Sequence, residues 1–229
     1  KTQFDTARTL PRGEGDLQVS VTAGHQRGEL YTYERHEPRT EDATAPQIED
    51  HALPFTLHMR VIYTYGLLEK LEIFGGIDTP LTPRLGLKAG LVGDRTSVYA
   101  LAVRARGVYA SGGFSLESIG ILQGEVSLPN TFALSERVDL TASPRFGVGH
   151  FVRRDPYGGA SLETYETMTA RGIMWGLNLG GALWISKASA GSALMFEISG
   201  TRYPNRTWEE RDGLEVSFGV GFQGNLLDG

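Results

Sequence analysis

The chain has no cysteine, few basic residues and no long apolar run, and each absence excludes a class of protein. Without cysteine it has neither a disulfide framework nor a thiolate metal site. Its 22 lysines and arginines stand against 27 acidic residues, whereas general nucleic-acid binding needs a basic surface. No stretch approaches the roughly 18 to 20 consecutive apolar residues of a membrane-spanning helix. A membrane-spanning β-barrel remains open, because its strands need apolar side chains only at alternate positions.

The clearest pattern that is present is a strict alternation over residues 169–186. Such a period of two is typical of a β-strand, and its length exceeds the usual five or six residues of a strand in a soluble sheet. One face is predominantly apolar and the other is built mainly from small residues. We predict that the apolar face contacts lipid through Ile173, Trp175, Leu177, Leu179, Leu183 and Ile185.

The same alternation predicts about ten strands in the whole chain. They lie near residues 17–24, 54–66, 70–78, 83–93, 97–110, 120–134, 137–152, 169–186, 192–204 and 214–223. The predicted fold class is therefore all-β, a closed antiparallel transmembrane β-barrel of about ten strands. Residues 16–229 form this single barrel domain, and residues 1–15 form an N-terminal segment on the periplasmic side. That segment either enters the mouth of the barrel or leads to a lipid anchor. Pro129 and Pro144 interrupt predicted strands and indicate bulges.

The connections between the predicted strands are asymmetric. Alternate connections are short, at residues 66–69, 93–96, 135–136 and 187–191, whereas most of the others are longer and polar. Short periplasmic turns opposite longer extracellular loops are typical of outer-membrane barrels, with both termini in the periplasm. The predicted location is the bacterial outer membrane, with outer-membrane lipid as the first partner. A soluble ligand-binding barrel is the alternative architecture.

The face opposite the apolar residues carries charges of both signs, which we predict to line the lumen. They are Glu72, Arg84, Lys88, Arg104, Arg106, Glu125, Arg145 and Glu197. Opposite charges can pair in a narrow interior and so limit the cost of burial. Glu125 is the predicted partner of Arg104 and Arg106. The arginines could instead form a basic stripe that favours anions in a narrow pore.

Aromatic residues collect near the predicted strand ends. Tyr63, Tyr65, Tyr99, Trp184 and Phe222 lie near the short turns, and Tyr109, Phe151 and Tyr203 lie near the other ends. Two girdles at the boundaries of the lipid would produce this distribution.

Two segments resemble a group of small outer-membrane barrels that is predicted in many Gram-negative genomes and that includes lipoproteins. The first is TARTLPRGEG, running directly into DLQVSVTAG; the second is SLPNTFALSERVDLTASPRFGVG. In that group a similar entry precedes the first strand, and a strand with LP leads through a tight turn to one with SPR. The resemblance implies a barrel in the outer membrane, of a group whose function is poorly defined.

Candidate chemistry is sparse in the sequence. His25 and His150 fall near the loop ends of two strands, where outer-membrane hydrolases place a histidine that activates serine or water. Glu49, Asp50 and His51, or Glu37, Glu41 and Asp42, could bind a metal, but a solvated acidic loop explains both sets. We therefore expect no cofactor, metal or catalytic site. The expected function is non-enzymatic, a membrane-embedded scaffold that engages other envelope proteins. A narrow diffusion channel with a basic lumen and a rim-active hydrolase are the alternatives.

Overall fold

The computed structural model describes residue 4 and residues 6–27, 53–78, 82–112, 118–156, 165–185, 192–203 and 213–225. The described residues form eleven β-strands: β1 Gly15–Arg27, β2 Leu53–Leu68, β3 Leu71–Asp78, β4 Thr82–Val92, β5 Tyr99–Gly112, β6 Ser118–Ser127, β7 Asn130–Ser135, β8 Val138–Pro156, β9 Tyr165–Trp184, β10 Ala193–Tyr203 and β11 Gly213–Asn225. No helix among these residues is both long and apolar enough to cross a membrane.

The eleven strands close into a barrel with ten positions. Antiparallel pairing joins consecutive strands from β1 to β6 and again from β7 to β11, and β1 pairs with β11 to close the sheet. Strands β6 and β7 occupy one position, because both pair with β5 on one side and with β8 on the other. The predicted ten-stranded closed barrel is confirmed. A closed sheet leaves no strand edge unpaired, which a lipid environment requires.

The break between β6 and β7 falls at Leu128 and Pro129. Proline has no N–H to donate to a neighbouring strand, so the ladder is interrupted there. The residue register nevertheless continues unchanged, from Ser127 opposite Arg145 to Asn130 opposite Ala142. Pro144 lies opposite the break, and its carbonyl accepts a hydrogen bond of 2.9 Å from Leu128 N. Pro129 thus interrupts the position shared by β6 and β7, whereas β8 continues through Pro144. The bulges predicted at the two prolines are wrong, because the register shifts at neither of them.

The two faces of the wall differ as the alternation predicts. On β4, Leu85 and Leu87 are exposed on the outside, whereas Arg84 and Lys88 are buried inside. This arrangement is the inverse of a soluble barrel, whose apolar side chains fill the interior. The outer surface is therefore suited to hydrocarbon and the inner surface to paired charges.

The short connections β2–β3, β4–β5, β7–β8 and β9–β10 lie at one end of the barrel, called here the turn end. Strand β1 begins and β11 finishes at the same end, because Asp16 lies opposite Asn225. The opposite end is called the loop end. Its connections, at residues 28–52, 79–81, 113–117, 157–164 and 204–212, lie outside the described residues.

Candidate functional site

The lumen of the barrel brings together most of the described charged side chains. All eight residues predicted to line it are buried: Glu72, Arg84, Lys88, Arg104, Arg106, Glu125, Arg145 and Glu197. Five of the six residues predicted to face lipid are exposed on the outer wall, namely Trp175, Leu177, Leu179, Leu183 and Ile185. Ile173, the sixth, is half-buried on the same face of β9.

Glu72 and Lys88 form a buried ion pair in the part of the lumen toward the turn end. They lie directly opposite each other on β3 and β4, and Lys88 Nζ is 2.7 Å from Glu72 Oε2. The carboxylate is 99% buried and the ammonium is almost as deeply enclosed. A buried charge of this kind is tolerated only with a close partner, so each residue fixes the other.

Asp78, another buried carboxylate, lies at the loop end of β3. It lies opposite Arg60 on β2, whose Nε donates a hydrogen bond of 2.8 Å to Asp78 Oδ1. Arg84 on β4 forms an ion pair with the other oxygen, Oδ2, from the opposite side. One carboxylate therefore links two arginines on its two neighbouring strands.

Glu125 makes a similar bridge across β5, β6 and β8. Arg106 Nη2 donates a hydrogen bond of 2.9 Å to Glu125 Oε2, and Arg145 Nη1 lies 3.7 Å from the same oxygen. Arg104 packs differently, with its guanidinium carbon 3.9 Å from the centre of the Phe74 ring. Glu125 thus pairs with Arg106, while a cation–π contact holds Arg104.

The N-terminal segment enters the lumen and occupies it near the turn end. We call Phe4 and residues 6–14 the plug. The plug lies outside the strand ladder, and its residues from Ala7 to Leu10 are buried. Its backbone is held by lumenal side chains: Ala7 N donates a hydrogen bond of 2.8 Å to Thr131 Oγ1, and Leu10 N donates to Glu72 Oε1. The plug therefore replaces water as the partner of polar groups on the inner wall.

Arg8 and Asp139 make the most extensive contact between plug and wall. Arg8 Nε and Nη2 donate hydrogen bonds of 2.6 and 2.8 Å to the two oxygens of the Asp139 carboxylate. Arg8 Nη1 also donates to the carbonyl of Ser97 in the β4–β5 turn, at 3.1 Å. Trp184 Nε1 donates a further bond of 3.0 Å to Asp139 Oδ2. Paired, parallel bonds of this kind fix orientation as well as charge.

Phe4 packs into an apolar cluster on β9 and β10. The cluster consists of Phe4, Ala182, Trp184, Ala193 and Met195, all buried. Phe4 has a left-handed φ of 49°, which a residue other than glycine adopts only where its surroundings compensate. The prediction that Trp184 belongs to an aromatic girdle is therefore wrong, because its ring lies in the lumen and supports the plug. Tyr63 and Phe222 at the same end are exposed on the outside.

The plug does not fill the turn end completely. A cavity of about 50 Å³ remains beside it, with room for a few water-sized molecules. Most of the lining is polar, and it includes Arg8, Asp16, Glu72, Lys88, Arg95 and Gln223. Lys88 Nζ reaches across to donate a hydrogen bond of 2.6 Å to the Arg8 carbonyl. The cavity is therefore a small polar gap between the plug and the inner wall.

Sequence reasoning missed three residues of this arrangement: Arg8, Asp78 and Asp139. A signal was present for two of them. Asp78 shares the parity of Glu72 on β3, and Asp139 alternates with the outward Leu140 on β8. Arg8 gave no signal, because it lies before the first alternating strand. Its role depends on the path of the chain into the lumen, which parity does not predict.

The residues considered for catalysis or metal binding lie mostly outside the described part of the chain. These are Glu37, Glu41, Asp42, Glu49, Asp50 and His51, together with the side chains of His25 and His150. The side chains of Phe151 and Tyr203, which were predicted to belong to a girdle, also lie outside the described part of the chain. Among the described residues, no group of three His, Cys, Asp or Glu is placed to hold a metal ion. The rim histidines stay a prediction.

No protein-family model matches the chain, and no curated protein matches it. Among solved structures, the outer membrane protease OmpT from Escherichia coli is similar, with a TM-score of 0.52 and 8% identity. That match covers 96% of this chain and all of OmpT. Neisserial surface protein A has a TM-score of 0.41 and 11% identity, over 93% of this chain and 97% of its own.

At such low identity, the similarity to OmpT concerns the fold alone. The closed barrel and its apolar outer wall nevertheless both fit a barrel that spans a membrane. The predicted resemblance is confirmed at this level: the chain is a β-barrel of the type found in the outer membranes of Gram-negative bacteria.

Proposed function

We propose that the chain is a non-enzymatic scaffold embedded in the outer membrane, whose barrel does not conduct. The observation that carries this proposal is the plug, which is fixed in the lumen by the Arg8–Asp139 pair. A second level of closure lies nearer the loop end, where Asp78 and Glu125 each link arginines from two strands. A diffusion channel needs a continuous water-filled path through the lumen. The plug and the bridged arginines would each block such a path.

A filled barrel still has two surfaces for partners. The apolar outer wall anchors it in lipid, and the turn end presents charged residues such as Glu69, Lys70, Glu136 and Arg137 to solvent. Other envelope proteins are the partners proposed for the turn end and for the loops. On this proposal the barrel supplies position and rigidity, and the connections supply recognition.

Single-channel recording separates the scaffold from a channel. Wild-type protein in planar bilayers is expected to show no conductance. The variant Glu125→Gln removes the charge that Arg106 and Arg145 share, so we expect a loss of roughly 1 to 3 kcal/mol of stability in urea. Conductance should remain absent, because the side chain keeps its volume. Glu136→Gln, the same change in an exposed turn, is the matched control and should leave stability unchanged.

The opposite result would identify a pore. If Glu125→Gln left stability intact but strengthened an anion current already present in the wild type, the arginines would line water and the scaffold proposal would be wrong. A channel closed only by its plug is the second candidate function, and one observation favours it. Residues 6–10 of the plug are held through hydrogen bonds that involve side chains, and its backbone hydrogen bonds to the wall are made by Gly13 and Glu14, beside β1. Deletion of residues 1–14 tests it: a steady anion-selective current supports the channel, and continued closure supports the scaffold.

The non-enzymatic part of the proposal needs its own test, since OmpT, with a similar fold, is a protease. Purified barrel in detergent and in vesicles should hydrolyse neither unstructured peptides nor phospholipids. Hydrolysis by the wild type that disappears in His25→Ala or His150→Ala would establish a rim-active hydrolase instead.

A further inference from the structure

The middle of the lumen contains more arginines than carboxylates. Among residues with described side chains, five arginines meet three acids, and all eight residues are at least nine-tenths buried. This arginine cluster consists of Arg60, Arg84, Arg104, Arg106 and Arg145, together with Asp78, Glu125 and Glu197. Glu72 is left out because Lys88 balances it. The cluster therefore carries two more positive than negative charges in a membrane-embedded interior.

The arginines of the cluster act on one another as well as on the acids. Arg84 is repelled electrostatically by Arg60, Arg106 and Arg145, and it is attracted by Glu125. Each of the two bridging carboxylates is already shared between two arginines. The acids therefore do not balance the arginines one for one.

Hydrogen-bond donors within the cluster point to the same imbalance. Arg84 Nε and Nη1, and Arg106 Nε, are buried and have no hydrogen-bond partner among the described residues. A guanidinium does not lose its proton under ordinary conditions, so it cannot remove the charge by titration. A buried donor without a partner costs free energy that a suitable ligand would recover.

The inner wall leaves space on the loop-end side of the cluster. Gly149 follows Arg145 and Gly147 on the inward face of β8, further toward the loop end. A Cβ atom added to Gly149 would meet nothing within 4 Å among the described residues. The described inner wall therefore leaves open space beside Gly149, from which a small solute can approach the cluster.

We propose that the arginine cluster binds one small inorganic anion, either a halide or a tetrahedral oxyanion, between Arg84 and Arg106. The planar N–H groups of guanidinium match oxyanions and halides, and a buried anion would be held more strongly there than in water. The anion completes the charge pairing of the lumen. This inference is independent of the scaffold proposal, because an anion can stabilise a closed barrel or an open one.

The test measures the midpoint of thermal unfolding of the barrel in a neutral detergent. The folded fraction is monitored through the heat-modifiable mobility of the barrel on gels. Sodium chloride, sodium sulfate and sodium phosphate are each compared with sodium gluconate, whose organic anion is much larger than the other three, at one constant ionic strength. We expect the midpoint to rise with chloride or with the oxyanions by roughly 3 to 6 °C at tenfold excess over Kd. The ion that acts at the lower concentration distinguishes a halide site from an oxyanion site.

The variant Arg84→Gln should abolish this anion dependence, while Asp78 keeps its bond to Arg60. Arg137→Gln, in an exposed turn, is the matched control and should retain the full rise. Equal midpoints in all four salts, or an unchanged rise in Arg84→Gln, would overturn the proposal. If Arg84→Gln does not fold, crystals of the wild type in sodium bromide decide the matter. Anomalous density between Arg84 and Arg106 supports the site, and its absence at saturating bromide contradicts it.

Discussion

Neighbouring residues of β9 meet opposite surroundings. Leu179 is 52% exposed on the outer wall, whereas Asn178 beside it is 99% buried in the lumen. Outside, lipid accepts any apolar side chain, so the sequence only has to repeat its alternation. Inside, each charged group needs a particular partner at a particular distance. The outer wall is therefore generic and the inner wall is specific, and a mutation should cost free energy for a different reason on each.

The largest effect is expected on the inner wall, where the plug is fastened. Asp139→Leu removes the two carboxylate oxygens that accept from Arg8 Nε and Nη2 and leaves the guanidinium buried without its carboxylate. Loss of one partner of a buried pair costs about 3 to 5 kcal/mol, measured as the free energy of unfolding in urea. The plug should also become accessible to trypsin after Arg8.

The matched variant for this pair is Arg8→Met combined with Asp139→Leu. It removes both charges and keeps similar volumes, so it should recover most of the stability lost in Asp139→Leu. If the double variant were as unstable as the sum of the two single variants, the pair would not be coupled. The specific character of the inner wall would then be in doubt.

A somewhat smaller effect is expected on the outer wall. Leu179→Arg places a charge in hydrocarbon and should cost roughly 2 to 4 kcal/mol near the bilayer midplane, measured in lipid vesicles. Leu179→Met is the control, since exchange for another apolar residue should cost less than about 1.5 kcal/mol. Unchanged stability of Leu179→Arg in lipid would count against a lipid-facing wall.

This difference between the walls explains what the sequence could predict. Alternation is a local property of a strand, so strand positions, the apolar outer residues and the inward charges were all accessible from it. Partners were only partly accessible: Glu125 was predicted as the partner of Arg106 and pairs with it, whereas the contact of Arg145 with Glu125 and that of Arg8 with Asp139 were not predicted. Trp184 is a different case: its position near a strand end indicated a girdle, although its parity, shared with the buried Ala182, already indicated the inside.

Glycines give a finer comparison between the two walls. A Cβ atom at Gly66 would collide with the carbonyl of Pro11 in the plug, whereas a Cβ atom at Gly107, exposed on β5, would meet nothing within 4 Å. Gly66→Ala should therefore push the plug aside and cost roughly 1 to 3 kcal/mol in urea. Gly107→Ala should change stability by less than about 0.5 kcal/mol. Equal effects would mean that the plug does not pack against β2.

The smallest effect belongs to a turn that lies outside both walls. Asp94, between β4 and β5, is exposed, and its Oδ1 accepts hydrogen bonds from Thr96 N at 2.8 Å and from Ser97 Oγ at 2.8 Å. Hydrogen bonds from the Thr96 backbone, then from the hydroxyls of Ser97 and Thr96, lower the pKa of Asp94 to about 2. The folded state thus favours the ionised carboxylate.

The sign of the pH dependence follows from that lowered pKa. The stabilisation from Asp94 is fully present above the ordinary pKa of 3.8 and is lost as the pH falls toward about 2. Asp94→Asn has no titrating group, so its stability relative to wild type should be slightly lower at pH 6 and should approach that of wild type near pH 2. Urea unfolding at both pH values measures the difference, and 1 M salt should leave it largely intact, because short hydrogen bonds are screened less than distant charges. A difference that instead grew as the pH fell would mean that Asp94 is not ionised preferentially in the folded turn.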